Sequence, residues 1–126
     1  MSTPIANDSA SRRSLFEATL EVIPDIVLIH DEELILFANA ACRRFLAAQS
    51  PEELEGRPID AIIHPDAYAA GRERRQLLME SDQCFRDVPL KVIALDGKTK
   101  HLVVDAHPLA FDGFRAGMVV ALEGAF

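Results

Sequence analysis

The sequence predicts a single α+β domain in which short helices gather on an antiparallel β-sheet. Its 126 residues are enough for one modest core, and 49% hydrophobic with 26% charged residues is typical of a folded globular domain. Helix starts and apolar runs alternate through the first two thirds of the chain. The last third changes to a period of two, which is typical of half-buried antiparallel strands.

Charge and cysteine content argue against several classes of function. The net charge of −7 and the pI near 5.0 disfavour binding of nucleic acid and docking on acidic lipid. Charged residues interrupt the longest apolar stretches, such as DIVLIHDEELILFANAA, so no membrane span is expected. The start, MSTPIANDSA, lacks a secretory signal pattern. Because Cys42 and Cys84 form no disulfide framework, we expect a cytoplasmic protein.

The first predicted elements are a loose tail over residues 1–8 and a flanking helix over 9–23. Ser14 and Glu17 fit a capping box, and Pro24 ends the helix because the residue before a proline resists α geometry. Apolar residues recur on one side of this helix, at Leu15, Phe16, Leu20 and Ile23. This stripe must cover either the sheet or a second copy of the chain.

Two short strands and two helix starts come next. DIVLIH and ELILFA flank the acidic turn Asp31-Glu32, and this pattern predicts a hairpin. Asn39 is suited to be the N-cap of the helix AACRRFLA. At the second start, the side chain of Ser50 is predicted to cap a helical turn. The side chain of Glu53 is predicted to reach back to a free backbone N–H group at the start of this turn.

A brief helical turn and a longer helix complete the middle of the chain. Gly56 is predicted to end the turn, because glycine readily adopts a left-handed backbone conformation. Pro65 opens a helix over roughly 66 to 80, with Asp66 as its cap. The segment GRERRQ lies on this helix, where helical spacing spreads its arginines over neighbouring faces. We interpret it as a solvated surface, with an inward arginine that binds a ligand carboxylate as the alternative.

The last third predicts a three-stranded antiparallel meander. Its runs FRDVPLKVIALDG, KTKHLVVDAHPLAF and GFRAGMVVALEG are separated by Asp96-Gly97 and Asp112-Gly113, both strong hairpin signals. Along each of the last two strands, apolar residues occupy alternate positions and so share one face of the strand. These residues are Leu102, Val104 and Ala106 in the first, and Phe114, Met118, Val120 and Leu122 in the second.

Taken together, IPDIVLIHDEELILFANAACRRFL, SPEELEGRPIDAIIHPD and VPLKVIALDGKTKHLVVDAHPLAFDG resemble a PAS domain, a sensor module of signalling proteins. The resemblance covers about residues 14 to 123. It implies a five-stranded antiparallel sheet, short helices that enclose a small cavity on one face, and an N-terminal helix on the other face that also pairs two copies. The domain proper is then residues 24–123, with a C-terminal stub over 124–126.

The resemblance and the apolar pattern together predict which side chains line the cavity and which pair the copies. The predicted pocket residues are Phe45, Ile59, Ile63, His64, Tyr68, Leu77, Leu78, Leu90, Val92, Leu102, Val104 and Met118. The predicted dimer interface comprises Leu15, Phe16, Leu20, Val103 and Val119. The same apolar set suits a small, partly hydrophobic ligand, and it equally suits a filled core without one.

Neither a flavin nor a haem is favoured. In flavin-binding light sensors of the family the reactive cysteine falls near Ile59, so we interpret Cys42 as a packing residue. Haem needs an axial ligand, and the long helix carries no histidine. His64, just before that helix, is the first ligand to test.

Metal binding and catalysis are not expected either. His101, Asp105 and His107 share a strand face. Alternate strand residues are roughly 7 Å apart, so neighbours could share an ion. His101 and Asp105 are twice as far apart, which is too distant for one ion without ligands from elsewhere. His64 and Asp66 resemble an acid–base pair, and helix capping explains them equally well. The sequence contains no nucleophile elbow, phosphate loop or zinc-hydrolase helix.

We therefore predict a sensor domain that binds a small ligand or mediates homodimerisation, and that regulates an output domain such as a histidine kinase. One alternative is a small α+β enzyme of the ketosteroid-isomerase type, with Asp60, Asp66 and Tyr68 as its plausible catalytic set. The other is a ligand-free dimerisation module with a closed core. For the sensor we predict no catalytic residue, no nucleic-acid partner and no membrane partner.

Overall fold

A five-stranded antiparallel sheet forms the centre of the computed structural model, which describes residues 9–111 and 113–124. The elements are α1 (Ser9–Glu21), β1 (Ile26–His30), β2 (Ile35–Ala38), α2 (Ala40–Phe45), single 3₁₀ turns at Pro51–Glu53, Ile59–Ala61 and Pro65–Ala67, α3 (Tyr68–Glu80), β3 (Phe85–Ile93), β4 (Thr99–Phe111) and β5 (Phe114–Glu123). This confirms the predicted α+β class. The tail over 1–8, position 112 of the second Asp-Gly turn and residues 125–126 of the stub lie outside the described residues.

The strand order is β2-β1-β5-β4-β3, so the first and last strands of the chain are neighbours. Leu28 of β1 lies opposite Val119 of β5, and the two strands run antiparallel. This pairing joins the N-terminal hairpin to the C-terminal meander. The sheet therefore has one inner face, covered by α2, α3 and the 3₁₀ turns, and one outer face, covered by α1.

The inner face holds the larger of the two buried apolar clusters. Ile35, Leu54 and Val92 are at most 1% exposed within it. Burial of a side chain of this size contributes about 1.5–3 kcal/mol to folding. The segment between residues 50 and 67 is thus held mainly by the buried side chains of Leu54, Ile59, Ile62 and Ile63, because the turns at Pro51–Glu53 and Pro65–Ala67 bury none of their own.

The outer face is covered by α1 of the same chain. Leu20 is buried against Val27 and Ile29 of β1 and Phe37 of β2, while Phe16 packs beside them. The stripe on the flanking helix therefore covers the sheet, which is one of the two options that the sequence left open.

Asn39 is the N-cap of α2, as predicted, and it does more than cap. Its Oδ1 accepts hydrogen bonds from the backbone N–H groups of Cys42 at 3.0 Å and Val27 at 3.1 Å. Its Nδ2 donates to the carbonyls of Leu20, Ile23 and Asp25. This side chain is fully buried and connects the end of α1, the start of β1 and the start of α2.

Other predicted helix starts need correction. α1 already runs through Ser14, so Ser14 is not an N-cap. Ser50 makes no side-chain capping bond, although Glu53 does reach back, to the N–H of Gln49. Before the long helix the capping acceptor is Nδ1 of His64, which receives the N–H of Asp66, so the capping side chain is not that of Asp66.

Backbone conformation bears out the prediction for Gly56, which has φ of +85° where the turn ends. The longest helices in the described part of the chain have 13 residues. No helix there is long and apolar enough to cross a membrane.

Candidate ligand cavity

A cavity of about 80 Å³ lies between the inner face of the sheet and α3. Its walls are mostly aliphatic and come from β1, β3, β4, β5 and the turns around residues 59–63. The lining also includes three nitrogen-bearing side chains, those of His30, Arg74 and Arg75, and we call this part of the wall the polar end.

Many of the predicted pocket residues do line this cavity, namely Ile59, Ile63, Leu78, Leu90, Val92 and Val104. Phe45, Tyr68 and Leu102 belong instead to the surrounding apolar cluster. Leu77 is only half-buried on α3, and His64 does not line the cavity but caps the 3₁₀ turn Pro65–Ala67 before α3. The pocket prediction is therefore more accurate for residues on strands and turns than for residues on helices.

The predicted faces of Met118 and Val119 are wrong. Met118 packs in the outer cluster, whereas Val119 lines the inner cavity. The reason is strand register: Phe111 lies opposite Phe114 across a tight turn, so Ala106 pairs with Val119. Since a shift of one residue moves a side chain to the opposite face, even positions on β4 share a face with odd positions on β5. The position of this Asp-Gly turn in the sequence already indicated the register between β4 and β5.

His30 is a site residue that sequence reasoning missed. Ile26 and Leu28 line the cavity from alternate positions of β1, and His30 continues that series. The ring is 3% exposed. Because the run IVLIH contains four apolar residues in succession, its period of two was hidden.

The chemistry of His30 follows from its contacts. Nδ1 lies 2.8 Å from the carbonyl oxygen of Asp31, which can only accept, so Nδ1 donates. Burial lowers the pKa of His30, the bond to Asp31 opposes this, and the charge of Arg75 adds to the lowering. A neutral ring with a proton on Nδ1 presents Nε2 as a hydrogen-bond acceptor. The Nε2 side of the ring lies over Gly117, where a Cβ would come within 2.8 Å of Nε2.

Arg75 is turned inward, contrary to the predicted solvated surface, and its charge is already compensated. It is 8% exposed, and it donates to the carbonyl of Glu32 and to Oδ1 of Asp60, each at 3.1 Å. Arg72 donates its Nε to Oδ2 of the same carboxylate at 2.9 Å. Burial would raise the pKa of Asp60, but the bond from Arg72 and the charge of Arg75 outweigh it and lower the pKa.

Arg74 differs from both neighbours. It is half-buried, and no carboxylate in the described part of the chain pairs with it. Burial lowers the pKa of Arg74, and the like charge of Arg75 adds to this effect. The cavity therefore has a guanidinium at its polar end whose charge no carboxylate within residues 9–111 and 113–124 neutralises.

Cys42 lines the cavity but is chemically quiet. Burial raises the pKa of its thiol to about 12, so the thiol stays protonated at neutral pH. It belongs to the inner apolar cluster, which confirms the interpretation as a packing residue. Cys84 is exposed, and both cysteines are free.

The outer face carries a wider apolar groove of about 270 Å³ between α1 and the sheet, with Phe16 and Phe37 among its walls. Of the predicted dimer residues, Leu15 is 52% exposed and Val103 is half-buried. Leu20 is buried within its own chain and offers little surface to a second copy. Exposed apolar side chains outside the predicted interface include Val22, Leu34, Phe114 and Leu122.

The residues considered for metal binding have other contacts or lie apart. Oδ1 of Asp105 accepts the N–H of Asp87, at a bulge in β3. His107 lies opposite Met118 on the outer face. Within the described ranges, no group of three or more His, Cys, Asp or Glu residues is arranged to hold a metal ion.

These features define a class of protein: an α+β domain whose curved sheet and short helices enclose a ligand-sized space, with a helix on the opposite face. A family model for the PAS fold matches residues 14–122. The chain belongs to the PAS family, whose members are sensory modules of signalling proteins.

Solved structures agree with this assignment. The PAS domain of an HTR-like protein from Haloarcula marismortui is 17% identical, with TM-score 0.75 over 91% of this chain and 93% of that one. A PAS domain from a two-component sensor histidine kinase is 14% identical, with TM-score 0.72 over 93% and 100%. The PAS domain of a LuxR-family transcriptional regulator from Burkholderia thailandensis, solved with ethanol, is 14% identical, with TM-score 0.68 over 86% and 96%. A search of curated proteins finds no match.

Proposed function

We propose that this PAS domain senses a small molecule that enters the inner cavity, and that occupancy is relayed through the flanking helix to an output domain. The observation that carries the proposal is the cavity of about 80 Å³ with a polar end formed by His30, Arg74 and Arg75. His30 and Arg75 have partners within the chain, but Arg74 has no carboxylate partner among the described residues, and a partly buried charge without a partner is costly.

The architecture supplies a physical connection between the two faces. β1 places His30 and Leu28 at the cavity and Val27 and Ile29 under α1. Asn39 ties the same strand to the end of α1 through buried hydrogen bonds. A ligand that favours one position of β1 therefore also favours one position of α1, and the population of states shifts accordingly.

The output domain and the pairing of copies belong to the same proposal. Similar domains occur in a sensor histidine kinase and in a transcriptional regulator, and these are the output classes that we favour. We propose homodimerisation through α1 and the outer face, where Leu15 and Phe114 are exposed beside the groove. The two free cysteines support a cytoplasmic location.

Native mass spectrometry of freshly purified protein, together with its absorption spectrum, tests this function. We expect a homodimer and a bound small molecule without the visible absorption of haem or flavin. A dimer that never takes up any small molecule would favour the ligand-free dimerisation module instead. A monomer that takes up none would contradict both.

An isomerase-type enzyme is disfavoured by the positions of its proposed residues. Asp60 is held as a carboxylate by two arginines, so it is a poor general base. Asp66 is exposed, and Tyr68 belongs to the surrounding cluster and does not line the cavity. The proposed set is therefore not assembled around one substrate site.

A further inference from the structure

The polar end of the inner cavity is unbalanced in charge. Asp60 is the carboxylate that binds both Arg72 and Arg75, so one negative charge serves two guanidinium groups. Arg74 adds a third positive charge, lines the cavity and has no carboxylate partner among the described residues. A half-buried cation without a counter-charge is costly, and an anion in the cavity would compensate it.

His30 adds a requirement of the opposite kind. Its Nδ1 is committed to the carbonyl of Asp31, so the neutral ring presents Nε2 as an acceptor. Burial and the charge of Arg75 both keep the ring neutral. A ligand that matches this end therefore carries an anionic acceptor for Arg74 and a hydroxyl donor for His30.

Size and wall chemistry narrow the class further. One water molecule occupies about 30 Å³ in the liquid, so a cavity of about 80 Å³ has room for about three waters or an organic molecule of similar bulk. The remaining wall is aliphatic and includes Leu78 and Val119. These groups favour a short carbon chain over a phosphate or a dicarboxylate, which would place charge against aliphatic groups.

We propose that the inner cavity binds a short-chain hydroxycarboxylate, with its carboxylate paired to Arg74 and its hydroxyl donating to Nε2 of His30. The inference rests on the proposed sensing function and names the chemical class that the domain senses. Guanidinium groups suit this role because they bind carboxylates in a planar, two-bond geometry.

Glycolate is the probe for a titration of the ¹⁵N-labelled 126-residue chain, followed by NMR at constant ionic strength. We expect saturable shifts at the amides of β1, β5 and α3 around the cavity. Acetate, which lacks the hydroxyl, should bind more weakly, and glycolamide, which lacks the charge, should bind more weakly still. Equal affinity for glycolate and glycolamide would overturn the proposal.

Arg74→Gln is the decisive variant and Arg72→Gln is its matched control on the same helix. Loss of a charge-assisted pair should weaken glycolate binding about tenfold or more in Arg74→Gln, whereas Arg72→Gln should stay within about twofold. Because Arg74 makes no hydrogen bond or ion pair to the rest of the described chain, its variant should keep a dispersed spectrum. Arg74→Lys retains the charge without the planar fork and should show an intermediate affinity, which keeps the test valid if Arg74→Gln fails to fold. Unchanged affinity in either Arg74 variant contradicts the proposal.

Ethanol separates this inference from the proposed function. If ethanol shifts the cavity amides and glycolate does not, the hydroxycarboxylate assignment fails while a ligand-sensing cavity stands. If neither molecule enters a folded domain, both fail.

Discussion

The two faces of the sheet are built for different kinds of contact. The inner face borders a cavity of about 80 Å³, whereas the outer face borders a groove of about 270 Å³ beside α1. Buried polar groups line the first, and exposed Leu15 and Phe114 flank the second. A small space with fixed polar groups selects a small molecule, while a larger apolar groove suits a protein surface.

The attachment of the helices follows the same division. α1 is fastened at its C-terminal end, where Arg43 forms a two-bond ion pair with Glu21, at 2.6 and 3.0 Å, and Asn39 binds nearby carbonyls. Leu15, further towards the start of α1, is 52% exposed. The outer helix is therefore anchored at one end, and this arrangement suits an element whose position reports on the inner face.

The largest expected effect comes from removing the link between the faces. Asn39→Ala removes five hydrogen bonds, two from backbone N–H groups and three to carbonyls, and should lower the free energy of unfolding by about 3–5 kcal/mol. Chemical denaturation measures this. Asn39→Asp keeps the acceptor oxygen but loses the donor, so it should lose less stability, with the loss concentrated in amide-exchange protection of α1. A cost below about 1 kcal/mol for the alanine variant would show that the link is not structural.

Matched leucine truncations on the two faces should give the next largest effects. Leu78→Ala enlarges the inner cavity and should cost about 3 kcal/mol across the whole domain, because this side chain is 1% exposed. Leu20→Ala should cost about 2 kcal/mol and mainly release α1. Denaturation and hydrogen exchange distinguish global from local loss. Equal, fully global losses would contradict the idea that α1 is separable from the inner core.

A glycine at the back of the cavity tests how tightly the polar end is built. A Cβ on Gly117 would lie 2.6 Å from Cε1 of His30, so Gly117→Ala should cost about 2 kcal/mol by displacing the ring. The same change in a His30→Ala background should cost much less, because the clash is gone. Denaturation of the four proteins in this double-mutant cycle gives the coupling energy. Additive costs would mean that Gly117 serves another purpose.

The smallest effect is the pH dependence that His30 contributes. Its folded-state pKa is lowered from the ordinary value of 6.5, so the unfolded chain binds the proton more readily. Stability from this group is complete above pH 6.5 and is lost as the pH falls from there towards the folded-state pKa. Asp60 and Glu21, whose pKa values are lowered as carboxyl groups, lose their contribution at lower pH, below about 4.

Unfolding free energies measured between about pH 5 and 8 test this dependence. His30→Gln should flatten the slope in that window, and His64→Gln, a change at the partly exposed cap of the 3₁₀ turn Pro65–Ala67, serves as the control. An unchanged slope in His30→Gln would show that another group governs the acid loss.

Local signals in the sequence predicted local structure well. Asn39 as a cap, Gly56 with a positive φ and the hairpin at Asp31 all appear where the residue types require them. These features depend on a few neighbouring backbone groups, and a short stretch of sequence contains all the participants. The PAS family itself was also readable, because the order of such local features runs along the whole chain.

Predictions that depended on the relation between strands and helices were less accurate. Met118 and Val119 were exchanged because the register across the last turn was not carried from one strand to the next. Arg75 was assigned to solvent because its partners, Glu32 and Asp60, are distant in sequence. Helical periodicity marks the apolar face of a helix, but it does not show that an arginine beside this face has partners in distant segments of the chain.

The sequence by itself thus determined the elements, their turns and the family, because those depend on contacts between near neighbours. The tertiary structure alone decided that His30, Arg74 and Arg75 line the same cavity, and that Asn39 connects both faces. The reason is physical: burial, charge compensation and strand register arise only when segments far apart in the chain come together in space.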